Sequence, residues 1–474
     1  MEQSFVNVAL QMTMLWRYGA CLLLLSVLGC ASEEATDIEV FADMGVVDAD
    51  LTQIGRLTPE YCGSCHPSHF EQWRMSMHAF ATKDPIFQAM NKKGIEETGG
   101  RLNQFCVQCH APNASLRDEL PVVEENGRHT MALDMNDPVV SEGVQCTTCH
   151  RIEAVVSTQN ASISLSDTTF YGAGTSAAAQ EAHPMEASPL FADPAQKSIL
   201  CGSCHDVLNP NGVRLDSTFS AWYANGYNRP GTPEHRTCQD CHMPTYQGRI
   251  TTDGPMKTLH SHTFVGVYQA LVPNFPGKPE QAEIAQRLLQ DCAEVDIRYN
   301  GVNEDGDAIL VVSVKNINNG HNLPSGSTAD TQVWVHLQVF DDNDQLVYES
   351  GMTDENGDLM DGVVGHSVDP DGDPELMLYG QFVLDDENRH VTFAWEAHQF
   401  TDNLIPPGQR KWRDFEVPSS LFETDGMRVL ATLNYRTFPP FFLRTLIQDG
   451  FLDADAIGPV PIIEMERVEA EFEL

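Results

Sequence analysis

The stretches that decide the fold of this chain are five copies of one short pattern, Cys-x-x-Cys-His. They read Cys62-Gly-Ser-Cys-His66, Cys106-Val-Gln-Cys-His110, Cys146-Thr-Thr-Cys-His150, Cys201-Gly-Ser-Cys-His205 and Cys238-Gln-Asp-Cys-His242. With only 13 Cys and 17 His among 474 residues, chance placement predicts far fewer than one such match. The repetition is therefore a property of the protein and not an accident of composition.

Each copy predicts a covalent attachment site for a c-type haem. A disulfide would not demand a His after every second Cys, and a zinc site would not recur five times at intervals of 44, 40, 55 and 37 residues, so both alternatives are disfavoured. We therefore expect five covalently attached c-type haems. The residues predicted to form thioether bonds are Cys62, Cys65, Cys106, Cys109, Cys146, Cys149, Cys201, Cys204, Cys238 and Cys241. The predicted proximal iron ligands are His66, His110, His150, His205 and His242.

The remaining cysteines are Cys21, Cys30 and Cys292. Cys21 lies in an apolar run over residues 20–29 that is too short to span a bilayer and is typical of a signal peptide. Cys292 lies in a predicted amphipathic helix over Gln281–Ala293, where a lone Cys usually serves as a small buried hydrophobic residue. No function is assigned to Cys292.

The signal segment ends in Val27-Leu28-Gly29-Cys30, which resembles the lipobox of bacterial lipoproteins. We predict a signal peptide over residues 1–29 and a lipidated acidic tether over residues 30–58, with lipid on Cys30. An ordinary secretory signal that happens to contain a Cys is the alternative. Because Ala31 and not Asp follows Cys30, the expected location is the outer membrane, facing the periplasm or the cell surface.

The chain is strongly acidic, with 68 Asp and Glu against 28 Lys and Arg and a formal net charge of −40 at pH 7. Binding nucleic acid needs clusters of basic residues, so nucleic acid is excluded as a partner. Redox proteins that dock by charge would have to present cationic patches. The expected partners are such redox proteins or extracellular electron acceptors, together with the membrane through the N-terminal lipid.

The composition and residue pattern of the sequence change after the last motif, which divides the chain into two parts. Residues 59–285 are rich in Pro, Gly and Met, and about 44 residues per haem leave much of the core to porphyrin. One helix is predicted over Pro67–Ala81, because Phe70, Trp73, Met77 and Phe80 recur at helical spacing. This region is predicted to be a pentahaem cytochrome domain of short helices and loops.

From about residue 286 onward, runs rich in Val, Ile and aromatic residues predict strands. The predicted strands are Ala308–Val314, Thr331–Phe340, Leu346–Ser350, His390–Trp395 and Met427–Tyr435. The fold class is therefore α+β: a haem-packed N-terminal domain of short helices and loops, followed by a C-terminal antiparallel β-sandwich over residues 286–474.

Several stretches beyond the bare motifs resemble the cytochrome c554-type multihaem family. They are Cys62–His66 followed by Trp73, Ser76 and His78; Ser198–Asp206; and Cys238–Pro244 followed by the run His260–Gly266. In addition, Asn319–Gly326 resembles a Gly-His-x-x-Pro-Thr/Ser-Gly sequence of many multihaem cytochromes. In those proteins a β-domain loop returns to the haem core. The resemblance covers nearly the whole mature chain and implies export, closely stacked haems and mostly two His ligands per iron.

The resemblance also implies the distal ligands. His78 matches the family position after the first motif, and His183 matches a His-Pro element before the fourth. His262 precedes Thr-Phe-Val-Gly as in the family, and His321 lies in a Gly-flanked loop that backbone can bring close to a haem. A fifth distal ligand is less well defined: His129 is the candidate, with His260, His69, His235, a Met or no ligand as alternatives.

The His residues of the β-domain other than His321 are poor ligand candidates. His336 shares one strand face with Trp334 and Gln338, while Val333 and Val335 lie on the other, so His336 is expected at an ordinary sheet surface. His366, His390 and His398 lie in no motif.

Two functions follow from these observations. The first is electron transfer outside the cytoplasmic membrane through a chain of closely spaced, mostly bis-His haems. The alternative is a haem oxidoreductase that acts on small nitrogen compounds at one haem with an open coordination position. Electron transfer is favoured, because every motif ends in His, whereas pentahaem nitrite reductases use Cys-x-x-Cys-Lys at the active haem. No catalytic residue is assigned.

Overall fold

The helices of the motif-bearing part are short, because proline and side-chain caps define their ends every few residues. The computed structural model describes residues 51–360, 372–422 and 426–473. The signal peptide, Cys30, most of the predicted tether and His366 lie outside these residues. The described residues belong to one compact unit, and none of their helices is long and apolar enough to cross a membrane.

Many of the helices begin at a proline, whose fixed φ suits the first helical turn. The helices are α1 Pro59–Gly63, α2 Pro67–Arg74, α3 Met77–Phe80, α4 Pro85–Glu97, α5 Val107–His110, α6 Pro112–Ser115, α7 Pro138–Ser141, α8 Cys146–Cys149, α9 Ala177–Ala182, α10 Pro189–Ala192, α11 Lys197–Gly202, α12 Thr218–Ala224, α13 Cys238–His242, α14 Lys278–Asp291 and α15 Pro440–Gln448. Single 3-10 turns occur at Leu51–Arg56, Gly226–Asn228, Ala394–Glu396, Ser419–Leu421 and Ala454–Ala456.

The helix predicted over Pro67–Ala81 is two helices. The break falls at Ser76, whose hydroxyl donates to the Trp73 carbonyl at 2.6 Å and accepts from the Ala79 amide at 3.3 Å. A serine that can bond local backbone favours a helix start over a helix interior. Ser76 therefore ends α2 and begins α3, which redirects the chain just before His78.

The sequence reasoning did not predict α4, the 13-residue helix Pro85–Glu97. Its start has a clear signal, because the Asp84 carboxylate caps the Ile86 amide at 3.0 Å and Pro85 occupies the first turn. Ile86, Ala89 and Ile95 form its buried face. An expectation of little regular structure around the haems led to this omission.

The strands of the motif-bearing part form small two-stranded ribbons where loops were expected. The paired strands are β1 Val122–Glu125 with β2 Arg128–Met131, β3 Ile152–Val155 with β4 Ile163–Leu165, β5 Phe170–Gly172 with β6 Met185–Ala187, β7 Val207–Leu208 with β8 Arg214–Asp216, and β9 Thr245–Arg249 with β10 Met256–His260. Only β5 and β6 run parallel. The 3-10 turn Leu51–Arg56, at the end of the predicted tether, packs against this part through the buried Ile54.

The C-terminal part contains two main antiparallel sheets, as predicted. The strands are β11 Ala293–Val302, β12 Ala308–Asn316, β13 Gln332–Asp341, β14 Leu346–Ser350, β15 Met377–Tyr379, β16 Gln381–Leu384, β17 Gln399–Asp402, β18 Arg410–Val417, β19 Gly426–Arg436 and β20 Ile463–Glu473. One sheet has the order β11-β12-β18. The other has the order β14-β13-β19-β20, with β15 also paired to β13.

Alternating side chains of these strands meet between the two sheets. Leu310, Val312 and Val314 of β12 and Val333 and Val335 of β13 are at most 1% exposed and belong to one hydrophobic cluster. The alternation matches a strand with one face on the core. His336 lies on the opposite face of β13 and contacts Glu349 at 2.7 Å, as expected for a sheet surface.

The strand predicted over His390–Trp395 is wrong. His390 makes only an isolated bridge to Leu384, and residues 394–396 form a 3-10 turn. Phe393 and Trp395 stack on each other at 4.7 Å and join the cluster that contains α4 and α15. Packing of both aromatic rings into one cluster outweighs the strand preference of the individual residues.

The two parts of the chain share buried contacts. The cluster around α4 includes Phe442 and Leu446 of α15, and Asn209 donates to the Ala394 and Ala397 carbonyls at 2.9 and 2.8 Å. The predicted boundary between residues 285 and 286 falls inside α14. The exact division into domains stays a prediction.

Candidate haem sites

Every Cys-x-x-Cys-His motif lies on or beside a short helical turn. The turns are α1, α5, α8, α11 and α13. On a helix, residues i, i+3 and i+4 share one face, so both thiols and the imidazole of a motif point to the same side. This local geometry is what two thioether bonds and one axial ligand to a single porphyrin require.

Four of the five motif imidazoles have their Nδ1 atom hydrogen-bonded to a backbone carbonyl. The pairs are His66 with Ile250 at 2.8 Å, His110 with Ala81 at 3.0 Å, His150 with Tyr171 at 2.8 Å and His242 with Val265 at 2.6 Å. Such a bond fixes the ring orientation and leaves Nε2 available to a metal.

Four motif imidazoles face a second imidazole at one recurring distance. Two imidazoles that bind one metal from opposite sides, each with its nitrogen about 2 Å from the ion, have ring centres about 6 Å apart. The observed centroid distances are 6.5 Å for His66 and His183, 6.3 Å for His150 and His262, 6.3 Å for His205 and His78, and 6.2 Å for His242 and His321. The donors present therefore fit four irons with two His ligands each.

His78 is placed opposite the fourth motif, far from the first motif that precedes it in sequence. The carbonyl of His78 accepts from the Val144 amide at 2.9 Å. Gly143 beside it has φ +59, and a side chain there would come within 2.4 Å of that carbonyl. Burial lowers the pKa of His78 to about 3, so the imidazole is neutral, the form that binds iron.

His321, on a loop of the C-terminal part, lies beside His242 of the fifth motif. The loop is held by Thr218, whose hydroxyl donates to Ser325 at 3.1 Å and accepts from the Gly326 amide at 3.1 Å. Asn225 also donates to the Gly320 carbonyl. Burial lowers the pKa of His321 to about 4. Sequence reasoning missed Thr218 and Asn225, because no local pattern links residues so far apart in the chain.

Two further imidazoles lie near the first and third motifs and must be told apart. His69 is 6.3 Å from His66 and 4.5 Å from His262. His69 follows His66 by one helical turn, so the two rings leave α2 on the same side and cannot face each other across a metal. His183 comes from the end of α9, and its Nδ1 is buried with no hydrogen-bond partner.

His110 of the second motif differs from the other four. Its ring stacks on Phe87 at 4.1 Å with an interplanar angle of 8°. Among the described residues, no second imidazole is in ring contact with it. His129, the candidate for the fifth distal ligand, lies in the β1–β2 hairpin with its Nε2 4.0 Å from Glu124. Within the described residues, no ring contact joins His129 to a motif histidine.

The other candidates also lie apart from a motif imidazole. His260 has its Nδ1 2.7 Å from the Met243 carbonyl, and His235 has a buried Nε2 with no hydrogen-bond partner. His390 and His398 are exposed. None of these four makes a ring contact with a motif histidine within the described ranges.

The attachment sites are close to one another. Thiols of different motifs lie close enough to perturb one another's pKa in three pairs: Cys62 with Cys146, Cys109 with Cys204, and Cys201 with Cys238. Cys149 of the third motif also lies within electrostatic reach of Cys204 of the fourth. The fourth site therefore neighbours the second, third and fifth, and the first site neighbours the third.

Comparison with known proteins agrees with this geometry. Residues 61–151 match the family described as cytochrome c554 and c-prime. The chain contains a cytochrome c554/c-prime domain. Together with its five motifs, this domain makes the protein a multihaem c-type cytochrome, a class that is assembled outside the cytoplasm. No curated protein matches the chain.

A solved structure extends the likeness beyond the cytochrome c554/c-prime domain. The penta-heme cytochrome c552 from Thermochromatium tepidum is 21% identical, with a TM-score of 0.60 over 89% of this chain and 100% of that chain. The two proteins share a fold. The structure of target SoR45 of the Northeast Structural Genomics Consortium is 8% identical and covers 37% of this chain and 82% of that chain. Its TM-score of 0.15 says nothing about the fold.

Proposed function

We propose that this protein transfers electrons outside the cytoplasmic membrane through five covalently attached c-type haems. The observation that carries the proposal is the contact between thiols of different motifs, because it sets neighbouring attachment sites side by side. When bound, haem iron cycles between the ferric and ferrous states and carries one electron. The contacts define a path from the first site to the third and fourth, which then branches to the second and fifth.

In the haem-loaded protein, the chain's own residues would hold four of the irons by two imidazoles each. The proposed pairs are His66 with His183, His150 with His262, His205 with His78, and His242 with His321. Two imidazole ligands on one iron would leave no place for a substrate. Desolvation keeps these rings neutral, since burial lowers the pKa of His78 and His262 to about 3.

The site of the second motif is proposed to be different. His110 is the proximal ligand, and Phe87 packs flat against its ring. Cys204 of the fourth motif neighbours Cys109 of the second motif. The second site therefore lies at the end of one branch of the path. Since no described imidazole faces His110, we assign this site no His distal ligand and do not retain His129.

This second site supports the alternative function. An iron with an open axial position can bind a small molecule, so a haem oxidoreductase acting on small nitrogen compounds remains the second candidate. Electron transfer is preferred, because four of the five sites hold opposed imidazoles. Phe87, which stacks on the His110 ring, belongs to a hydrophobic cluster that also contains Val107.

We further propose that the protein is a lipoprotein of the outer membrane, anchored through Cys30. The net charge of −40 favours redox partners that present cationic patches, or extracellular acceptors. These proposals rest on the sequence, since Cys30 lies outside the described residues.

Rapid mixing separates the two functions. The fully reduced protein is mixed either with a ferric cytochrome of basic charge or with nitrite or hydroxylamine. We expect all five haems to be reoxidised by the basic cytochrome, with no multiple turnover of either nitrogen compound. Sustained turnover of nitrite or hydroxylamine would favour the enzyme, and failure to reduce the cytochrome would contradict electron transfer.

A further inference from the structure

The C-terminal sandwich contains a cavity that the haem sites do not use. It has a volume of about 400 Å³, within the range of small-molecule sites. It is lined by Leu376, Met377, Tyr379 and Asn403, and by the consecutive β18 residues Arg410, Lys411, Trp412 and Arg413. The cavity therefore combines apolar walls with three cations.

Lys411 and Arg413 lie on the face of β18 that also carries buried core residues, whereas Arg410 and Trp412 line the cavity from the other face of the strand. Phe415 and Val417 are buried in the core between the sheets. Since residues i and i+2 of a strand point to the same face, Lys411 and Arg413 continue that inner face beyond the end of the apolar core. Their Cα atoms are about 7 Å apart at the usual rise of a strand.

Neither Lys411 nor Arg413 forms an ion pair within the described part of the chain. Lys411 Nζ donates to Asn403 Oδ1 at 2.8 Å, and Arg413 Nη2 donates to the Pro374 carbonyl at 2.8 Å. No described carboxylate lies within 4 Å of either. By contrast, the adjacent Arg410 is paired with Glu294 at 2.5 Å. In a chain with 68 acidic and 28 basic residues, two unpaired cations in one cavity are unusual.

Two polar groups of the same cavity are buried without a partner. Tyr379 is only 1% exposed, and its hydroxyl makes no hydrogen bond. The Nε–H of Arg413 is likewise buried and unpaired. A buried donor without an acceptor destabilises the fold. Both donors, and both cations, would be satisfied by an acceptor-rich anion.

We propose that this cavity binds a small organic dicarboxylate. One carboxylate would accept from the Arg413 guanidinium, whose planar fork suits carboxylate geometry. The second would lie near Lys411, because Lys411 Nζ is held at Asn403 while Arg413 Nη2 is held at the Pro374 carbonyl. The Tyr379 hydroxyl donates to the same ligand, and Leu376 and Met377 contact its methylene groups.

Calorimetric titration of the full-length haem-loaded protein with succinate tests the proposal. The wild type is expected to bind succinate, and Lys411→Met and Arg413→Met each weaken the affinity by about tenfold, as loss of a charge-assisted hydrogen bond implies. Tyr379→Phe, which removes only the hydroxyl, weakens it severalfold. Arg298→Met removes an exposed cation of β11 paired with Asp296 and is expected to leave succinate binding unchanged.

An unchanged haem absorption spectrum and thermal transition show that each variant is folded. Absence of succinate binding by the wild type overturns the proposal, as does an equal affinity for inorganic sulfate, which would indicate a general anion site. Wild-type protein that is dimeric in solution and becomes monomeric in Arg413→Met also overturns it. In that case the carboxylates that meet these cations would come from a second copy of the chain.

Discussion

At the residue scale, the motifs specify the local geometry of their own Cys and His residues but not which distant His lies opposite each motif. Cys and His of one motif are fixed by a single helical turn, so the sequence alone specifies them. The sequence alone does not specify which motif His lies opposite His78. His78 stands 12 residues after His66 in sequence, yet it faces His205, because the break at Ser76 and the contact with Gly143 turn it away from the first site. Such long-range placement has no local sequence pattern.

His321 offers the first residue-scale prediction. His321→Ala removes the imidazole opposite His242, so one low-spin ferric haem should become high-spin. Magnetic circular dichroism of the oxidised protein measures this change. His336→Ala is the control, because His336 lies on a sheet surface beside Glu349 and its loss should leave the spectrum unchanged. An unchanged spectrum in His321→Ala would show that the loop does not supply a ligand.

Asp330 gives a prediction about pH. Its side chain accepts from the Ser327 hydroxyl at 2.5 Å, its other oxygen is buried without a partner, and burial raises the pKa to about 6. The unfolded chain, with a pKa near 4, ionises first as pH rises. Asp330 therefore lowers the free energy of unfolding by about 3 kcal/mol between pH 4 and pH 7.

The side chain at position 330 cannot ionise in the variant Asp330→Asn. Denaturant unfolding curves of this variant should therefore not show the wild type's fall in the free energy of unfolding between pH 4 and pH 7. The exposed Asp305→Asn serves as the control variant. If wild type and Asp330→Asn showed parallel pH profiles from pH 4 to pH 7, the carboxyl would not be protonated in the folded protein.

At the element scale, helix caps and side-chain packing determine boundaries and element types that sequence periodicity does not predict. Periodicity predicted one helix over Pro67–Ala81, and the helix cap at Ser76 divides it. Val and aromatic residues predicted a strand over His390–Trp395, and the stacked pair Phe393 and Trp395 makes a turn instead. By contrast, β13 and β19 were predicted correctly within a residue or two, because one face of each is wholly buried.

Ser76→Ala tests the role of the break between α2 and α3. Loss of the cap should reduce the free energy of unfolding by about 1 kcal/mol. Because α3 carries His78, the change should also loosen the ligation of the haem at the fourth motif, seen as a raised high-spin fraction on warming. Asp453→Ala removes a comparable cap at an exposed turn, where Asp453 accepts from the Asp455 amide at 3.0 Å. This control should leave the spin state unaltered.

At the scale of the whole molecule, the sequence predicted the fold class but not how closely the two parts join. The apolar alternation of β12 and β13, together with the motif spacing, was sufficient to predict the α+β fold class. The ribbons β1–β10 were not foreseen, because their strands are two to five residues long and too short to show periodicity. Contacts such as Thr218 with Ser325 depend on the folded path of the whole chain.

The net charge of −40 leads to a prediction for the whole molecule. Encounter with a basic cytochrome should be steered by long-range attraction, which salt screens. The second-order rate of electron transfer should fall by at least about tenfold between 10 mM and 500 mM ionic strength. A neutral small-molecule acceptor provides the control. A salt-independent rate with the basic cytochrome would contradict docking by charge.

The central claim is that four of the five sites hold opposed imidazoles and that the site of the second motif does not. Low-temperature EPR of the fully oxidised protein tests this most directly. We predict four low-spin ferric haems of the bis-His type and one haem with a different signal, which is lost when Cys106 and Cys109 are replaced. Five bis-His low-spin signals of equal intensity would contradict the account.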